Sequence, residues 1–533
     1  MWDSRPRLSG MPLHLTAGGG YATLRFLGAT SCDEYTPPRW SSDMAVGLQA
    51  KSLTQGTDAV GAVDWNRPGR AHLVGIGGSG MSALARVLHQ RGWLLSGSDV
   101  NLDRLAERLP PRTLLHAGHA AAHVPPEVDV VVHSDAVARD NAELAEAQSR
   151  GIATLTYFDV AGRLMEGRHG LAVAGTHGKS TTTAMAGAIL VDAGLDPTML
   201  CGAAPLEQPD GGRAGRGTAV LVEACEYRAN FLKLQPFHAV ILGIEPDHFD
   251  CYPALAHVEE AFGRFATRVP HDGLLLAHAD CAAAQRVTAS ASCRVETFGL
   301  SDGCDWLARP RAVDRGCYEF DLICRDETLC AIRLPMPGRH NMLNALAAAA
   351  LARHQGVDPP QIARSLGRFR GLRRRLECVG TRAGVTRIDD FAHHPTELDA
   401  ALGTVRQMYP QQRIFCVFQP HQTSRTARLL DELAASLHNG LRPESVVQRP
   451  NRLWITDIYR AREGLPAAGE VTASHLADRV RRRGLDAAPL HEMDEVARDV
   501  AARIEPGDVL LTVGAGDIRR VLDQVDSLTR DRE

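Results

Sequence analysis

The chain has 533 residues, room for about three or four domains that each bury a core, so a small disulfide- or zinc-stapled module is excluded. Apolar residues make up 44% and charged residues 23%, which excludes wholesale disorder and a collagen-like repeat. With 59 basic against 63 acidic side chains the net charge is −4, no excess on which to hold a nucleic acid, and the longest purely aliphatic run, residues 345–352, is far below the ~18 residues of a bilayer span.

Residues 1–69 show no sustained period of 2 or 3.6, are rich in Gly, Ser, Thr and Pro, and read as a mobile extension. They lack the apolar core of a secretory signal, and the 12 cysteines form no CxxC pair. The chain therefore reads as cytoplasmic, with cysteines as small core residues and no zinc site. At Ala71 the segment AHLVGI reads as a buried strand entering a glycine cluster and then a helix, MSALARVLHQRG, closed by Gly92. WLLSGSD and VDVVVHSD follow as strands.

The alternation restarts at Gly170 with GLAVAG, a second glycine loop, a helix from about Lys179, and the buried strands TAVLVEA and HAVILGI. YEFDLICRD and LCAIRLP are short alternating strands before an alanine-rich helix that starts near His340. A third unit holds VTRIDDFA, RIFCVFQP, RLWITDIY and DVLLTVGAG. In it, a helix after Pro395 carries Leu398, Leu402, Val405 and Met408 on one face, and the next carries Leu429, Leu433 and Leu437 and stops at Gly440. Strands alternating with helices predict an α/β fold of parallel sheets, with a hinge in the basic stretch GRFRGLRRRLE, residues 367–377.

The cluster Gly75-Ile76-Gly77-Gly78-Ser79-Gly80 fits GxGxxG, with Asp99 nineteen residues beyond it. Such glycines let backbone N–H groups approach a pyrophosphate at the positive end of a helix; a tight turn without ligand is the bland alternative. The second loop, Gly175-Thr176-His177-Gly178-Lys179-Ser180, has the GKS end of a phosphate loop, although Val173 stands where the first glycine of GxxxxGK[ST] would be. Its amides would cradle the phosphates of ATP, Lys179 would reach the β/γ-phosphates and Ser180 would offer a hydroxyl to Mg²⁺.

Glu223 and Glu226 end the strand TAVLVEA, and Glu245-Pro246-Asp247-His248 follow HAVILGI. Carboxyl ends of parallel strands collect ligands, so these groups should face the phosphate loop, where oxygen donors suit Mg²⁺ and a histidine can join as ligand or substrate contact. His340 and Asn344, one helical turn apart, either hold adenine or cap the helix. Asp389-Asp390-Phe391-Ala392-His393-His394-Pro395 ends a strand with no further Cys or His at zinc-like spacing, so it reads as a substrate-binding or catalytic loop. A nicotinamide dehydrogenase would use the first cluster but leave GTHGKS unexplained; a silent nucleotide-binding regulator is the other rival.

Over residues 71–518 the chain resembles the ATP-dependent muramyl amino-acid ligases of peptidoglycan synthesis. The motifs, in family order, are HLVGIGGSGMS with SGSD, AGTHGKSTTT, IEPDHFDCY, PGRHNMLNA, RRRLE, DDFAHHPTE, FQPHQTSRT and GAGDI. The resemblance implies three domains: a Rossmann-like UDP-sugar-binding domain over residues 70–167, a central P-loop ATPase-type sheet over 168–370, and a Rossmann-like amino-acid-binding domain over 371–533. It implies ligation of L-alanine to UDP-N-acetylmuramate with ATP and Mg²⁺ through an acyl phosphate or, within the same family, addition of a tripeptide.

Carried over residue by residue, Gly75, Gly77, Gly78, Ser79, Gly80, Asp99 and Ser134 become the UDP-sugar site. Gly175, Thr176, His177, Gly178, Lys179, Ser180 and Thr181 meet the ATP phosphates, and His340, Asn341 and Asn344 meet adenine. Ser180, Glu223 and His248 are the implied metal ligands. Lys179, Glu223, His248, Arg375 and Asp390 are the implied catalytic set, and His393, His421 and Arg425 receive the amino acid. The chain departs from the common pattern at Cys225 and Tyr227 (EACEY for EADES), at Gly243 for Asn, at Phe391 for Tyr, at Gln422 for Arg, and at Ser134-Asp135 for a pair of serines. Gln422 cannot make the bidentate charged pair an arginine makes with a carboxylate.

Overall fold

The computed structural model describes residues 63–101, 108–442, 450–464 and 469–530, so the extension read over residues 1–69 lies, up to residue 62, outside the described residues. Among the described residues three sheets form, one for each alternating unit of the sequence. The first consists of β1 (Arg70–Val74), β2 (Leu94–Asp99), β3 (Leu114–Ala117), β4 (Val130–His133) and β5 (Ala153–Thr156), all parallel in the order β3-β2-β1-β4-β5. β1 is buried on both faces, as its unbroken apolar run requires of a central parallel strand. Helix α1 (Ser79–Gln90) follows it. That helix ends as expected: Gly92 is left-handed (φ +86°), its N–H donates to His89 O and the Trp93 N–H to Leu88 O, a paired C-terminal cap.

Glu143 is fully buried in this unit. Its carboxylate accepts from Ser98 Oγ at 2.6 Å and from the Ala120 N–H at 3.2 Å, and His72 Nε2 lies 3.1 Å away. Against the burial that raises it, the hydrogen bonds from His72 and Ser98 hold its pKa down to about 2. Glu143→Ala should therefore cost roughly 1–3 kcal/mol for each donor left unpaired. The native contribution is complete above the unfolded carboxyl value of ~4.3 and disappears as the pH falls through the folded value, so melting curves of the two proteins should converge in acid.

The second sheet has ten strands: β6 (His169–Ala174), β7 (Thr198–Leu200), β8 (Gly212–Arg213), β9 (Ala219–Glu223), β10 (His238–Ile241), β11 (Leu274–His278), β12 (Arg294–Gly299), β13 (Trp306–Asp314), β14 (Cys317–Cys324) and β15 (Glu327–Pro337). The order is β15-β14-β13-β12-β11-β10-β6-β9-β7-β8. β6 is flanked directly by β9 and β10, both parallel to it. The carboxyl ends of these three neighbours therefore open side by side, bringing the phosphate loop, Glu223 and the loop after β10 together. β13, β14 and β15 form an antiparallel meander at one edge. Helix α2 (Lys179–Asp192) follows the phosphate loop and packs on α3 (Arg339–His354), whose alanines at 345, 347, 348, 349, 350 and 352 are all buried. Small side chains let the two helices approach closely.

The third sheet runs β16-β17-β21-β18-β19-β20, with β16 (Glu377–Arg382), β17 (Val385–Asp390), β18 (Ile414–Phe418), β19 (Arg452–Ile455), β20 (Ala487–Pro489) and β21 (Val509–Val513). β16 pairs antiparallel with β17, and the remaining neighbours are parallel. The helix after Pro395 is α4 (Pro395–Met408), which buries Leu398, Leu402 and Val405. The next, α5 (Leu430–Leu441), corrects the sequence reading, for it runs past Gly440 to Leu441. A Cβ at Gly440 would stand 2.5 Å from Leu402 Cβ. This glycine brings α5 against α4 rather than ending it. No helix among the described residues is long and apolar enough to cross a membrane.

Candidate active site

The phosphate loop is shaped by two left-handed glycines, Gly175 (φ +138°) and Gly178 (φ +83°). A Cβ on Gly175 would come within 2.6 Å of Leu242 Cβ, and one on Gly178 within 2.4 Å of Asn344 Oδ1, so only glycine fits at either position. Lys179 opens α2 and folds back over the loop. Its ammonium donates to Thr176 O at 3.0 Å, to Gly175 O, and to Glu226, whose Oε2 is 2.9 Å away. Although burial pulls its pKa down, Glu226 beside it holds the amine above the usual lysine value. Lys179 is charged.

Ser180 Oγ donates to Glu223 Oε1 at 2.9 Å, and the Gly202 N–H donates to Glu223 Oε2 at 2.6 Å. A hydroxyl and a carboxylate so paired at the mouth of a phosphate loop form the oxygen donor set that Mg²⁺ takes. His248, in the left-handed region at φ +53°, brings Nε2 to 3.6 Å from Glu226, while its Nδ1 is buried with no hydrogen-bond partner. Strain at a non-glycine residue beside an unsatisfied imidazole fits a group awaiting a ligand.

The third unit closes over this centre. Arg425, buried, donates Nε–H to Asp247 Oδ1 at 2.8 Å, and its Nη1 lies 2.6 Å from His421 Nδ1. Against its own burial, Arg425 holds the Asp247 carboxyl well below the usual range. Burial pushes His393 down to about 4 and His421 to about 2, so both imidazoles are neutral at physiological pH. Arg462 Nη2 reaches Asp250 at 3.4 Å, with its guanidinium over the Tyr227 ring at 3.8 Å. A cavity of about 230 Å³ results. Lys179, Ser180, Glu223 and His248 line it from the central unit, Arg375 from the hinge, and His393, His421 and Arg425 from beyond it.

Three family descriptions match the chain in succession: "Mur ligase family, catalytic domain" over residues 70–169, "Mur ligase middle domain" over 173–352 and "Mur ligase, glutamate ligase domain" over 374–516. The chain belongs to the Mur ligase family. It is 38% identical over 455 residues to the UDP-N-acetylmuramate--L-alanine ligase of Clostridium novyi (strain NT), covering 85% of this chain and 96% of that one. Among solved structures it is similar to the UDP-N-acetylmuramate-alanine ligase of Thermotoga maritima, with TM-score 0.72 and 24% identity over 87% of this chain and 100% of that one. It is also similar to a murein peptide ligase of Psychrobacter arcticus 273-4, with TM-score 0.65 and 22% identity over 86% and 98%. The three-domain α/β architecture is that of the family.

Within this Mur ligase several residues from the motifs hold the frame of the site. Asp390 has burial pushing it up to about 6; its two oxygens accept the N–H groups of Leu376 and Ala392, so it ties the hinge to the third sheet. Hinge strain falls on Arg374 and Leu376, non-glycine residues at positive φ, while Gly371 takes its positive φ freely. Asn344 accepts from Thr182 Oγ1 at 3.3 Å and donates to Asn341, whose Nδ2 donates to Pro337 O. The N-cap position is held by Gly338, which has no side chain to cap with, and the Asn341 and Asn344 side chains instead brace α3 against α2. Burial pushes His340 down to about 4, and Arg375 acts in the same direction. Thr181 is buried in the first turn of α2.

In the first unit, Asp99 Oδ2 accepts the Gly77 N–H at 2.9 Å, and Gly75 and Ile76 donate to Ser98 O, which fixes the glycine loop on the end of β2. Ser134 follows β4, its Cβ 3.2 Å from where a Cβ on Gly75 would be, and Gly80 faces the Tyr157 ring. Gly78 precedes α1 as its N-cap residue, and Ser79 is the first residue of that helix. Phe391 lies under Arg375 at 4.9 Å and Arg374 at 5.1 Å, a cation–π contact that needs no phenolic hydroxyl. A Cβ at Gly243 would meet nothing within 4 Å, and nothing in the structure explains that departure. Asp247 lines the cavity with the phosphate loop, as its place at a strand end led one to expect, whereas sequence reasoning missed Glu397 and Arg462 as cavity residues. Asp247 stands within the motif IEPDHFDCY, and Glu397 has a signal as the acid three residues after the His394 cap of α4. Arg462 has none.

Proposed function

We propose that the chain ligates L-alanine to UDP-N-acetylmuramate, forming ADP and phosphate, in peptidoglycan precursor synthesis. One juxtaposition carries the reading: a charged phosphate-loop lysine and a Ser180–Glu223 pair share a cavity with His393, His421 and Arg425. The muramate carboxylate attacks the γ-phosphorus of ATP, ADP leaves, and an acyl phosphate forms. The alanine nitrogen attacks the acyl carbon, phosphate leaves, and the nitrogen releases its proton. A free carboxylate is a poor electrophile, so phosphorylation is what ATP supplies, and the intermediate must be kept from water.

Lys179 gathers charge on the transferring phosphoryl group. Ser180 and Glu223, with His248, would hold Mg²⁺, which neutralises phosphate oxygens when bound. Residues 70–167, with the Gly75 to Gly80 loop, Asp99 and Ser134, receive the UDP-sugar. Residues 168–370 bind ATP, with Gly175 to Thr181 at the phosphates and His340, Asn341 and Asn344 toward adenine. Residues 371–533 receive the amino acid through His393, His421 and Arg425. Arg375 and Asp390 join the last two units at the nucleotide, and the substrates belong to the cytoplasm.

Phosphate release should require UDP-N-acetylmuramate, ATP and an amine together, with alanine ahead of glycine and serine at equal concentration. Hydrophobic contacts separate neighbours differing by one methylene by only ~1–3 kcal/mol, so these are the natural competitors. A preference for glycine or serine would overturn the alanine assignment, and release independent of any amine would overturn the ligase. Gln422 is buried on the cavity wall beside Arg425. Gln422→Arg should lower KM for alanine several-fold with kcat little changed, read from initial rates, because an arginine can pair with the carboxylate in two hydrogen bonds.

A further inference from the structure

Beside the phosphate loop, His177, Glu245 and His394 converge from three separate motifs. His177 Nε2 lies 3.5 Å and His394 Nδ1 3.6 Å from the same oxygen, Glu245 Oε2. Both separations are too long for good hydrogen bonds. They match instead the ~3.4 Å edge of a tetrahedron whose centre is 2.0–2.1 Å from each ligand atom. The second nitrogen of each ring is already engaged: His177 Nδ1 is 3.0 Å from Glu397 Oε1, and His394 Nε2 is 3.3 Å from Pro246 O. A carboxylate or carbonyl accepting from the far nitrogen is what orients a metal-binding imidazole and leaves the near nitrogen as the donor. His177 Nε2 is moreover buried without a hydrogen-bond partner. Thr396 Oγ1 donates to Glu245 Oε2 at 2.6 Å and fixes that carboxylate, and the Thr396 N–H donates to His394 Nδ1 at 3.4 Å, a long cap contact that a metal on that nitrogen would replace.

We propose that His177 Nε2, Glu245 Oε2 and His394 Nδ1 form a site for a divalent transition metal, with zinc the ion their chemistry suits. Two imidazoles and one carboxylate select zinc over Mg²⁺, which takes oxygen donors, and a fourth position is left for water. This donor set is distinct from Ser180, Glu223 and His248. His394 belongs to the third unit and the other two ligands to the second, so the ion pins the units in their closed arrangement. The zinc-like spacing absent from DDFAHHPTE is supplied by the fold.

The test uses the full chain stripped of metal, dialysed against Zn²⁺ in excess Mg²⁺, with bound zinc counted by atomic emission. One equivalent should bind. Glu245→Gln and His394→Ala should each weaken binding at least 10-fold, and Glu223→Gln should leave it unchanged. X-ray absorption at the zinc edge of the unsubstituted protein should show two imidazoles and no sulfur, a readout independent of whether a variant folds. Absence of stoichiometric zinc, a sulfur shell, or loss of binding in Glu223→Gln with retention in Glu245→Gln would overturn the site.

Discussion

Lys179→Ala should lower kcat by at least about 10²-fold in amine-dependent phosphate release, as loss of a preorganised charge on a transferring phosphoryl group does elsewhere. The residue is built for that role: it opens α2, folds back over the loop, and keeps its charge against burial because Glu226 lies 2.9 Å away. The same pairing complicates the variant, since truncating Lys179 leaves a buried carboxylate without its cation. Stability should therefore fall along with turnover. Adding Glu226→Gln should recover the melting temperature and leave kcat low, which separates catalysis from folding. Near-normal turnover in Lys179→Ala would mean that the loop does not hold the phosphates.

The second large effect is expected at Arg425. Its guanidinium and the Asp247 carboxylate are both buried, and the pair joins the third unit to the loop after β10. Arg425→Ala strands Asp247 in the interior and should cost roughly 3–5 kcal/mol, read by denaturant unfolding. KM for alanine should rise at least 10-fold if Arg425 also presents charge to the amino-acid carboxylate. The double change Arg425→Leu with Asp247→Asn removes both charges and should restore most of the stability while KM stays high. A KM that returns with stability would assign Arg425 to interface packing alone.

What the sequence discloses follows from what is local. A glycine loop between a buried strand and a helix, or an acid at a strand end, is written within a few residues, so Gly175 to Ser180 and Glu223 are legible with their neighbours. Which strand ends lie side by side depends on β6 sitting between β9 and β10, a matter of sheet order that no short segment carries. Arg462, reaching Asp250 from more than two hundred residues away, gives no signal for the same reason. Gly440 misleads because a glycine late in a helical pattern serves equally as a stop and as a point of close approach, and only Leu402 across the interface distinguishes them. Asn344, an implied adenine contact, and Asp390, an implied catalytic residue, also carry frame bonds to Thr182 and Leu376, partners that neither residue's own motif contains.

In the proposed ligation ATP activates a carboxylate by direct phosphorylation in the cavity between Lys179 and Arg425. This step is tested most directly by UDP-N-acetylmuramate carrying ¹⁸O in its carboxyl group, with ATP and alanine, and mass analysis of the released phosphate. Attack of the carboxylate on the γ-phosphorus, followed by displacement at the acyl carbon, predicts one labelled oxygen in each phosphate. Unlabelled phosphate accompanying product would contradict an acyl phosphate and with it the proposed route of ligation.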